Sequence, residues 1–481
     1  MAKVERRRKI RDLAQNTVLF TISSFGSKLL TFLLLPLYTA VLSTNDYGTA
    51  DLITTTVTLL LYIFTINIAD GVLRYAIDSK NIEERKGILC FGARVTGLGS
   101  IIVIIGLCIL RCWNIIAWPV YCYYFVMVQF IMTALYQLLT NYMRAVDKIK
   151  EIAVVGVLST AITIFCNIVF LLGLKSGLPG FLASTTLGLL GSNIYCILCL
   201  KTDFSNFSRS KLEKEQKKAI IIYVVPTIFN SIAWWVNGYL DRYFVSIISG
   251  TDQNGLYAVA TKIPSILSLL PSFFLQAWGL TSIKYIDKND EDGFFSNTYT
   301  YFNTIMVAAC GIMIFFNKSI SHILYSDSFY EGWRASSILM LSAVFNTLSS
   351  FVSSAYVIEK KTGIYAVSSV IAAIVNAGLN IILIPRYSYV GAAVATLISF
   401  IVMWAIRYVT ASRYVNFKVK IGRDIIAYFM LVLQLIFERI DGVGYLGQSF
   451  VLIGILVLYK KNIIILFDKT IRAYRKRKEK R

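Results

Sequence analysis

The chain has 481 residues, of which 56% are hydrophobic and 16% are charged, and its formal net charge is +21. Soluble domains carry roughly 25% charged residues, and a soluble surface cannot hide this much apolar side chain. The composition therefore excludes an ordinary soluble domain. It predicts an all-α polytopic membrane protein, because a bilayer core roughly 30 Å thick is spanned by about 20 apolar residues in a helix.

The apolar runs predict about fourteen membrane-spanning helices. The first run is too long for a cleavable signal and lacks a small-residue cleavage pattern, so we expect it to be a retained anchor. The predicted spans are 15–41, 49–74, 87–110, 116–141, 152–174, 179–200, 219–247, 254–283, 295–317, 333–357, 364–385, 389–411, 423–438 and 446–467.

The basic residues predict the orientation of the chain. With a cytoplasmic N-terminus, 38 of the 48 Lys and Arg residues fall in cytoplasmic segments and six in outer connections. This strong positive-inside bias predicts a multi-pass protein of the bacterial cytoplasmic (inner) membrane, with both termini cytoplasmic. The charge of +21 is then explained by orientation and by contact with anionic membrane lipids, and no nucleic acid partner is predicted.

The polar stretch 201–218 divides the spans into two groups of six. Asn167 and Asn380, each followed by a Gly-rich helix start, recur at an offset of 213 residues, which indicates a parallel internal repeat. Chance is the alternative, since small residues are common at helix contacts. The predicted domains are an N-terminal lobe (1–212), a C-terminal lobe (213–415), and two further helices with a basic tail (416–481).

Basic residues inside the predicted spans are the strongest functional signal. A charge at mid-bilayer costs roughly 2.5–3.5 kcal/mol, so it normally faces an aqueous cavity or a partner. Excess positive charge around a cavity fits an anionic cargo such as a pyrophosphate, whereas snorkelling to the headgroups is the alternative for the shallower residues. The embedded basic residues are Lys28, Arg94, Arg242 and Lys262, with Arg74 at a cytoplasmic mouth.

Other side chains complete or limit the predicted site. Asp70 and Asp241 are candidate coupling acids, and Trp235 is a candidate for stacking on a sugar, with belt anchoring as the alternative for the aromatic residues. Cys196 and Cys199 form a CxxC pair with no second pair, so buried packing is favoured over a metal site. No metal, cofactor or catalytic residue is predicted, and the single histidine argues against a His-based enzyme.

Several of these residues resemble the polysaccharide repeat-unit flippases (the Wzx type) of the multidrug/oligosaccharidyl-lipid/polysaccharide exporter superfamily. The resemblance covers essentially the whole chain, but Gly279 follows Trp278 where the family often has a proline, so a bend there is less expected. The motifs that carry it are Asn16…Gly26…Pro36…Tyr47-Gly48, Gly71…Arg74-Tyr75, Pro226…Asp241-Arg242, Gly255-Leu-Tyr257…Lys262, Gln276-Ala-Trp278 and Asn376…Asn380…Pro385…Gly391…Thr396.

The resemblance implies two six-helix lobes around a central cavity, with two extra helices at the C-terminus. It implies that spans 1, 2, 7 and 8 line this cavity, and these are the spans that carry Lys28, Arg74, Arg242 and Lys262. Arg94, Asp70, Asp241, Trp235 and Gln276 are further candidates for the cavity or for ion coupling.

The first functional hypothesis is a flippase. It would move an undecaprenyl-pyrophosphate-linked oligosaccharide from the inner to the outer leaflet by alternating access, with polysaccharide polymerase machinery as a further partner. A multidrug/cation antiporter of the same fold would favour acidic residues in its cavity. A membrane-embedded polysaccharide polymerase would need a large external loop, whereas the longest outer connection here is 317–333.

Overall fold

The computed structural model of the protein describes residues 32–79, 81–113, 118–201, 212–285, 289–358 and 362–468, and the regular secondary structure in these ranges is all helical. Within them, nine helices are long and apolar enough to cross a membrane. The bent pair Gly444–Leu458 and Lys460–Asp468 makes a tenth. The prediction of an all-α polytopic membrane protein is confirmed.

The chain folds as two compact units that divide between Tyr239 and Leu240. The division lies within a helix rather than in the predicted linker, so the boundary predicted at 212/213 stays a prediction. The helices of unit 1 are α1 (Leu35–Val41), α2 (Thr44–Phe64), α3 (Ile68–Asp78), α4 (Ile82–Cys112), α5 (Val120–Ala145), α6 (Ile149–Asn167), α7 (Gly177–Cys199) and α8 (Lys214–Ser249) up to Tyr239.

The first part of α8 belongs to the core of unit 1. Ile220 and Leu212 are buried in one cluster with residues of α3, α4 and α5. Gly71 of α3 leaves room for this contact, because a Cβ there would lie 2.7 Å from Val224 and 2.9 Å from Ile220. Burial against unit 1 thus explains why the division falls later along α8.

The second predicted span is broken near its middle. Between α2 and α3, Ile66 and Asn67 have positive φ angles of 49° and 54°, a region that a β-branched residue rarely adopts. The side-chain amide of Asn67 donates hydrogen bonds to Ser231 Oγ (2.8 Å) and Thr227 Oγ1 (3.3 Å) of α8. These contacts fasten the break to a neighbouring helix, which supplies polar partners that lipid cannot offer.

Unit 2 contains the remaining helices. Its helix α15 has 50 residues, about 75 Å at 1.5 Å per residue, which is enough for two crossings. Ser388, with φ of 50°, marks the turn between them, next to the connection predicted after residue 385. The other helices are α9 (Thr251–Ala260), α10 (Lys262–Leu267), α11 (Leu269–Tyr285), α12 (Phe294–Leu324), α13 (Trp333–Val352), α14 (Ser354–Ile358), α15 (Thr362–Ala411), α16 (Ile421–Glu438), α17 (Gly444–Leu458) and α18 (Lys460–Asp468).

The eighth predicted span is interrupted twice, at Thr261 and at Ser268, on either side of Pro264. Pro264 lacks the N–H that would bond to the carbonyl of Ala260. The hydroxyl of Ser336 donates to that carbonyl instead, at 3.1 Å. A side chain of α13 therefore satisfies the backbone group that the proline leaves without its helical partner.

The two C-terminal predicted spans are fastened to unit 2 by buried polar contacts with α12. Gln434 of α16 donates to the carbonyl of Gly311 (2.8 Å). Asn303 donates to Tyr459 Oη (3.2 Å), which in turn donates to Asp424 (2.8 Å). Hydrogen bonds of this kind hold helices together where both are surrounded by apolar lipid.

Gly99 of α4 gives a test of the break in the second span. A Cβ at Gly99 would lie 2.1 Å from the carbonyl oxygen of Phe64 at the end of α2, whereas a Cβ at Gly97 meets nothing within 4 Å. We expect Gly99→Ala to destabilise the protein by about 1–3 kcal/mol, because a backbone oxygen cannot move aside. Gly97→Ala is the matched control and should leave thermal stability unchanged. Fluorescence-detected size-exclusion chromatography after heating measures both, and equal stability would contradict a tight contact at the break.

Candidate functional site

The basic residues that the sequence singles out lie in different surroundings. Arg74 and Arg94 are exposed in unit 1, and Arg74 pairs with Asp78 one helical turn away at 2.9 Å. In unit 2, Arg242 of α8 is 8% exposed and Lys262, the first residue of α10, is half-buried. Lys28 lies outside the described residues, so the grouping of these side chains around one cavity stays a prediction.

Asp241 is the centre of the most complete polar cluster around a predicted site residue in unit 2. Its carboxylate is 5% exposed. Oδ2 accepts hydrogen bonds from Thr396 Oγ1 (2.5 Å) and Tyr257 Oη (2.9 Å), and Oδ1 accepts one from Asn380 Nδ2 (2.6 Å). Asn380 Nδ2 also donates to Asn376 Oδ1 at 3.0 Å. We name these five residues the Asp241 cluster.

The arrangement can bind a small cation. The cluster contains one buried carboxylate, two hydroxyl groups and two side-chain amides, and their oxygens are hard ligands of the kind that small cations accept. Asn380 Oδ1 is buried and makes no hydrogen bond among the described residues. Rotation of this amide about its last side-chain bond would exchange the two atoms and turn Oδ1 toward Asp241.

Sequence reasoning found Asp241 but not its partners as a site. Asn376, Asn380, Tyr257 and Thr396 appear in the sequence only as positions of the resemblance and of the repeat. The sequence shows them as polar residues within otherwise apolar spans. The structure shows that three of them donate hydrogen bonds to the Asp241 carboxylate and that Asn376 contacts one of these donors.

The corresponding asparagine of the predicted repeat has a different partner. Asn167 in unit 1 is fully buried, and its Nδ2 donates to Tyr38 Oη at 2.8 Å. A phenol replaces the carboxylate that Asn380 contacts in unit 2. Asn167 and Asn380 therefore have chemically different partners, and the internal repeat stays a prediction.

Two predicted residues of unit 1 have clear contacts. Asp70 lies in the first turn of α3, directly after the break, and accepts a hydrogen bond from Asn141 Nδ2 at 3.2 Å. Trp235 is 5% exposed, and its indole N–H donates to the carbonyl of Thr55 at 3.0 Å. The ring of Trp235 is thus packed between helices, so its face is not open to a sugar in this structure.

A cavity of about 130 Å³ lies in unit 2 between α11 and the α13–α14 region, close to the predicted residue Gln276, which is exposed. Ser282, Ser350 and Ser353 each donate their hydroxyl hydrogen to a main-chain carbonyl at 2.7–3.0 Å. Their oxygens remain as acceptors, which suits donors such as sugar hydroxyls. The lining residues are Leu275, Trp278, Gly279, Ser282, Ser350, Ser353 and Ser354.

Metal ligation by the usual side chains is not seen in the described part of the chain, where no three His, Cys, Asp or Glu residues cluster. Cys196 of the CxxC pair is fully buried in a hydrophobic cluster of unit 1.

Solved structures share the fold. The lipid II flippase MurJ in an inward closed conformation matches with a TM-score of 0.67 and 14% identity, over 94% of this chain and 100% of that chain. An inward-facing multidrug resistance MATE family transporter of the MOP superfamily matches with a TM-score of 0.63 and 10% identity, over 80% of this chain and 95% of that chain. At these identities the likeness shows the fold alone.

A curated relative is the probable low-salt glycan biosynthesis flippase Agl15 of Haloferax volcanii. It is 24% identical over 272 residues, which are 54% of this chain and 57% of that protein. The chain thus spans less than two thirds of the length of this relative. The profile of a family described as polysaccharide biosynthesis protein matches residues 13–279. With more than half of its length matched, the chain belongs to the polysaccharide biosynthesis protein family, on a fold shared with the MOP exporter superfamily.

Proposed function

We propose that the protein is a flippase that moves a lipid-linked oligosaccharide, carried on undecaprenyl pyrophosphate, from the inner to the outer leaflet of the bacterial cytoplasmic membrane. Family membership and the exporter fold support transport of a glycan precursor. The observation that supports an anionic cargo is the position of Arg242, which is 8% exposed within a membrane-spanning helix. Its fork of donors matches a phosphate oxygen pair.

The proposed transport cycle alternates between two conformations. A cargo can shift such an equilibrium only through different binding energies in the two states. Arg242 and Lys262, together with Lys28 and Arg74, would contact the pyrophosphate in a state that exposes them to the inner leaflet. Both termini would lie in the cytoplasm, where anionic lipids and the polymerase machinery are the proposed partners.

The glycan needs neutral contacts, and the serine-lined cavity is the proposed place for one of its sugars. The cavity is lined by serine hydroxyls, which can accept hydrogen bonds, and by Trp278. None of the residues that line it is charged. Such a surface binds hydrogen-bond donors of a neutral sugar and leaves the charged pyrophosphate to the basic residues. The exposed amide of Gln276 is the proposed further contact on the same helix.

Ion coupling is proposed at the Asp241 cluster. A buried carboxylate with hydroxyl and amide partners binds either a proton or a small cation, and both change the charge of the site by one. The cluster joins α8 and α9 to both crossings of α15, so occupancy changes the helix contacts within unit 2. Asp70, on the exposed start of α3, is the proposed second acid.

A multidrug/cation antiporter remains the second candidate, because the Asp241 cluster would also serve a cation-coupled exporter. The MATE transporter fold matches with a TM-score of 0.63. The two functions differ in the charge of the cargo. A cationic drug would be repelled by Arg242, whereas a pyrophosphate would require it.

Replacement of Arg242 by Ala tests the cargo. We expect the variant to flip the lipid about tenfold more slowly than the wild type, because a bidentate phosphate contact is lost. A tenfold change corresponds to a free-energy difference of about 1.4 kcal/mol. The assay is reconstitution into liposomes with a fluorescent polyprenyl-pyrophosphate oligosaccharide and reduction of the outer-leaflet dye. Arg413→Ala is the control, since Arg413 is an exposed residue after α15. Unchanged flipping in Arg242→Ala, together with altered efflux of a cationic dye, would favour the antiporter.

Replacement of Asp241 by Asn tests ion coupling. The amide keeps the shape of the side chain and removes its charge, so we expect flipping to lose its dependence on a Na⁺ or proton gradient. Basal flipping without a gradient should fall less. Asp327→Asn is the control, because Asp327 is an exposed acid of the same unit. A gradient dependence equal to that of the wild type would exclude the Asp241 cluster as the coupling site.

Filling the serine-lined cavity tests the sugar contact. A Cβ at Gly279 meets nothing within 4 Å, and Gly279 lines the cavity, so the side chain of Gly279→Leu should enter the cavity without disturbing the fold. We expect at least threefold weaker transport of the oligosaccharide-linked lipid and little change for polyprenyl pyrophosphate alone. Gly378→Leu is the matched control, since Gly378 is exposed and also meets nothing within 4 Å. Equal transport of both lipids by Gly279→Leu would contradict a sugar site there.

A further inference from the structure

Glu438 is a buried carboxylate of unit 2 that neither the cargo proposal nor the coupling proposal uses. Glu438 is the last residue of α16 and is 2% exposed. A carboxylate at a helix C-terminus faces the negative end of the helix dipole, which is unfavourable. Burial adds a desolvation cost that is normally offset by an ion pair. Among the described residues, Glu438 forms no ion pair, so its charge needs another partner.

Near Glu438, several buried oxygen atoms have no hydrogen-bond donor among the described residues. Asn317 Nδ2 donates to Glu438 Oε1 at 2.7 Å and to the carbonyl of Trp333 at 2.9 Å. Both contacts are to oxygens, which fixes the amide orientation, because a rotated amide would set oxygen against oxygen. Asn317 Oδ1 and Glu438 Oε2 are both buried, and neither has a hydrogen-bond partner in the described part of the chain.

Two serine hydroxyl groups in this region are also buried without a hydrogen-bond partner among the described residues. The Ser337 hydroxyl is close enough to the Glu438 carboxylate to interact with it, but the two do not meet the distance and angle of a full hydrogen bond. Ser321 is one turn after Asn317 on the same face of α12. Both side chains are at most 1% exposed, and neither hydroxyl oxygen is hydrogen-bonded within the described ranges. Four buried oxygens from three helices therefore lack a partner in one region: Glu438 Oε2, Asn317 Oδ1, Ser321 Oγ and Ser337 Oγ.

The neighbouring basic residues are engaged elsewhere. Lys318 Nζ lies 3.5 Å from Asp441 and 4.5 Å above the ring of Trp333. Arg439 donates to the carbonyl of Arg334 at 3.2 Å. These cations make the region more positive without contacting the carboxylate directly. A divalent ion would therefore be disfavoured, and a single positive charge is what the carboxylate requires.

We propose that Glu438, Asn317, Ser321 and Ser337 form a binding site for one monovalent metal cation, with Na⁺ as the probe. A carboxylate, an amide and two hydroxyl oxygens are hard oxygen ligands of the kind that such ions accept. A proton would satisfy one of the four oxygens, whereas an ion that all four bind would satisfy each of them. The bound ion would join α12, α13 and α16, and so fasten the C-terminal helices to unit 2.

The experiment uses the full chain in detergent, with Asp241→Asn as the background so that the Asp241 cluster does not contribute. We expect saturable ²²Na⁺ binding of about one ion per chain, and a rise in unfolding temperature with NaCl relative to choline chloride. Glu438→Gln in this background should abolish both. In Na⁺-free buffer Glu438→Gln should be at least as stable as its parent, because the charge without a counter-ion is gone; a purely structural carboxylate would show the reverse.

Ser337→Ala keeps the proposal testable if Glu438→Gln fails to fold. We expect Ser337→Ala to weaken Na⁺ binding at least threefold, because one ligand is removed. Ser342→Ala on the same helix is the matched control, since its hydroxyl already donates to the carbonyl of Leu339 at 2.8 Å. The proposal is overturned if the Asp241→Asn protein shows no saturable Na⁺ binding, or if binding is the same in Ser337→Ala and Ser342→Ala. Either outcome would mean that a buried water fills the space or that Glu438 is protonated.

Discussion

The structure depends on one constraint, which is that a backbone polar group inside a bilayer must find its partner within the protein. Continuous helices meet it by themselves. Where a helix breaks, a neighbouring side chain has to supply the missing partner, as Ser336 does for the carbonyl of Ala260 and Asn67 does for the break after α2. The polar residues of this apolar chain are therefore concentrated at breaks and at contacts between helices.

The same constraint governs the charged side chains. A carboxylate in hydrocarbon must be neutralised or surrounded by donors, and Asp241 is surrounded by three. Glu438 has one donor, Asn317, and its second oxygen has no hydrogen-bond partner among the described residues. Arg74 meets the constraint differently, since it is exposed and paired with an acid of its own helix. The charged residues thus differ in how many hydrogen-bond or ion-pair partners the described residues give them.

Much of the fold could be predicted from hydropathy and charge. The all-α class, the turn near Ser388 and the interruption of the eighth span follow from apolar runs, connection residues and prolines. The break at Ile66 and Asn67 could not be predicted, because no glycine or proline marks it and its cause is a contact with α8. The division at Tyr239 could not be predicted either, since the residues that follow the charged start of α8 are as apolar as those of other spans and only their burial assigns them to unit 1.

The candidate site was predictable by residue type but not by partnership. Charge and depth selected Asp241, Arg242 and Lys262, whereas the donors around Asp241 come from segments up to 155 residues away. Trp235 shows the opposite case. Its depth in the span suggested a ligand contact, yet the carbonyl of Thr55 takes its indole N–H. Single residues can be read from composition and depth, but which of them meet depends on packing that one sequence does not display.

The different partners of Asn167 and Asn380 have an evolutionary consequence. If the two halves descend from one duplicated ancestor, both copies began with the same asparagine in the same helix. One copy now holds it against the phenol of Tyr38 and the other against the carboxylate of Asp241. A phenol stays neutral over the pH range of a cell, whereas a carboxylate does not. Under that hypothesis the two asparagines came under different selection after duplication, one for packing against a neutral group and the other for contact with a charge.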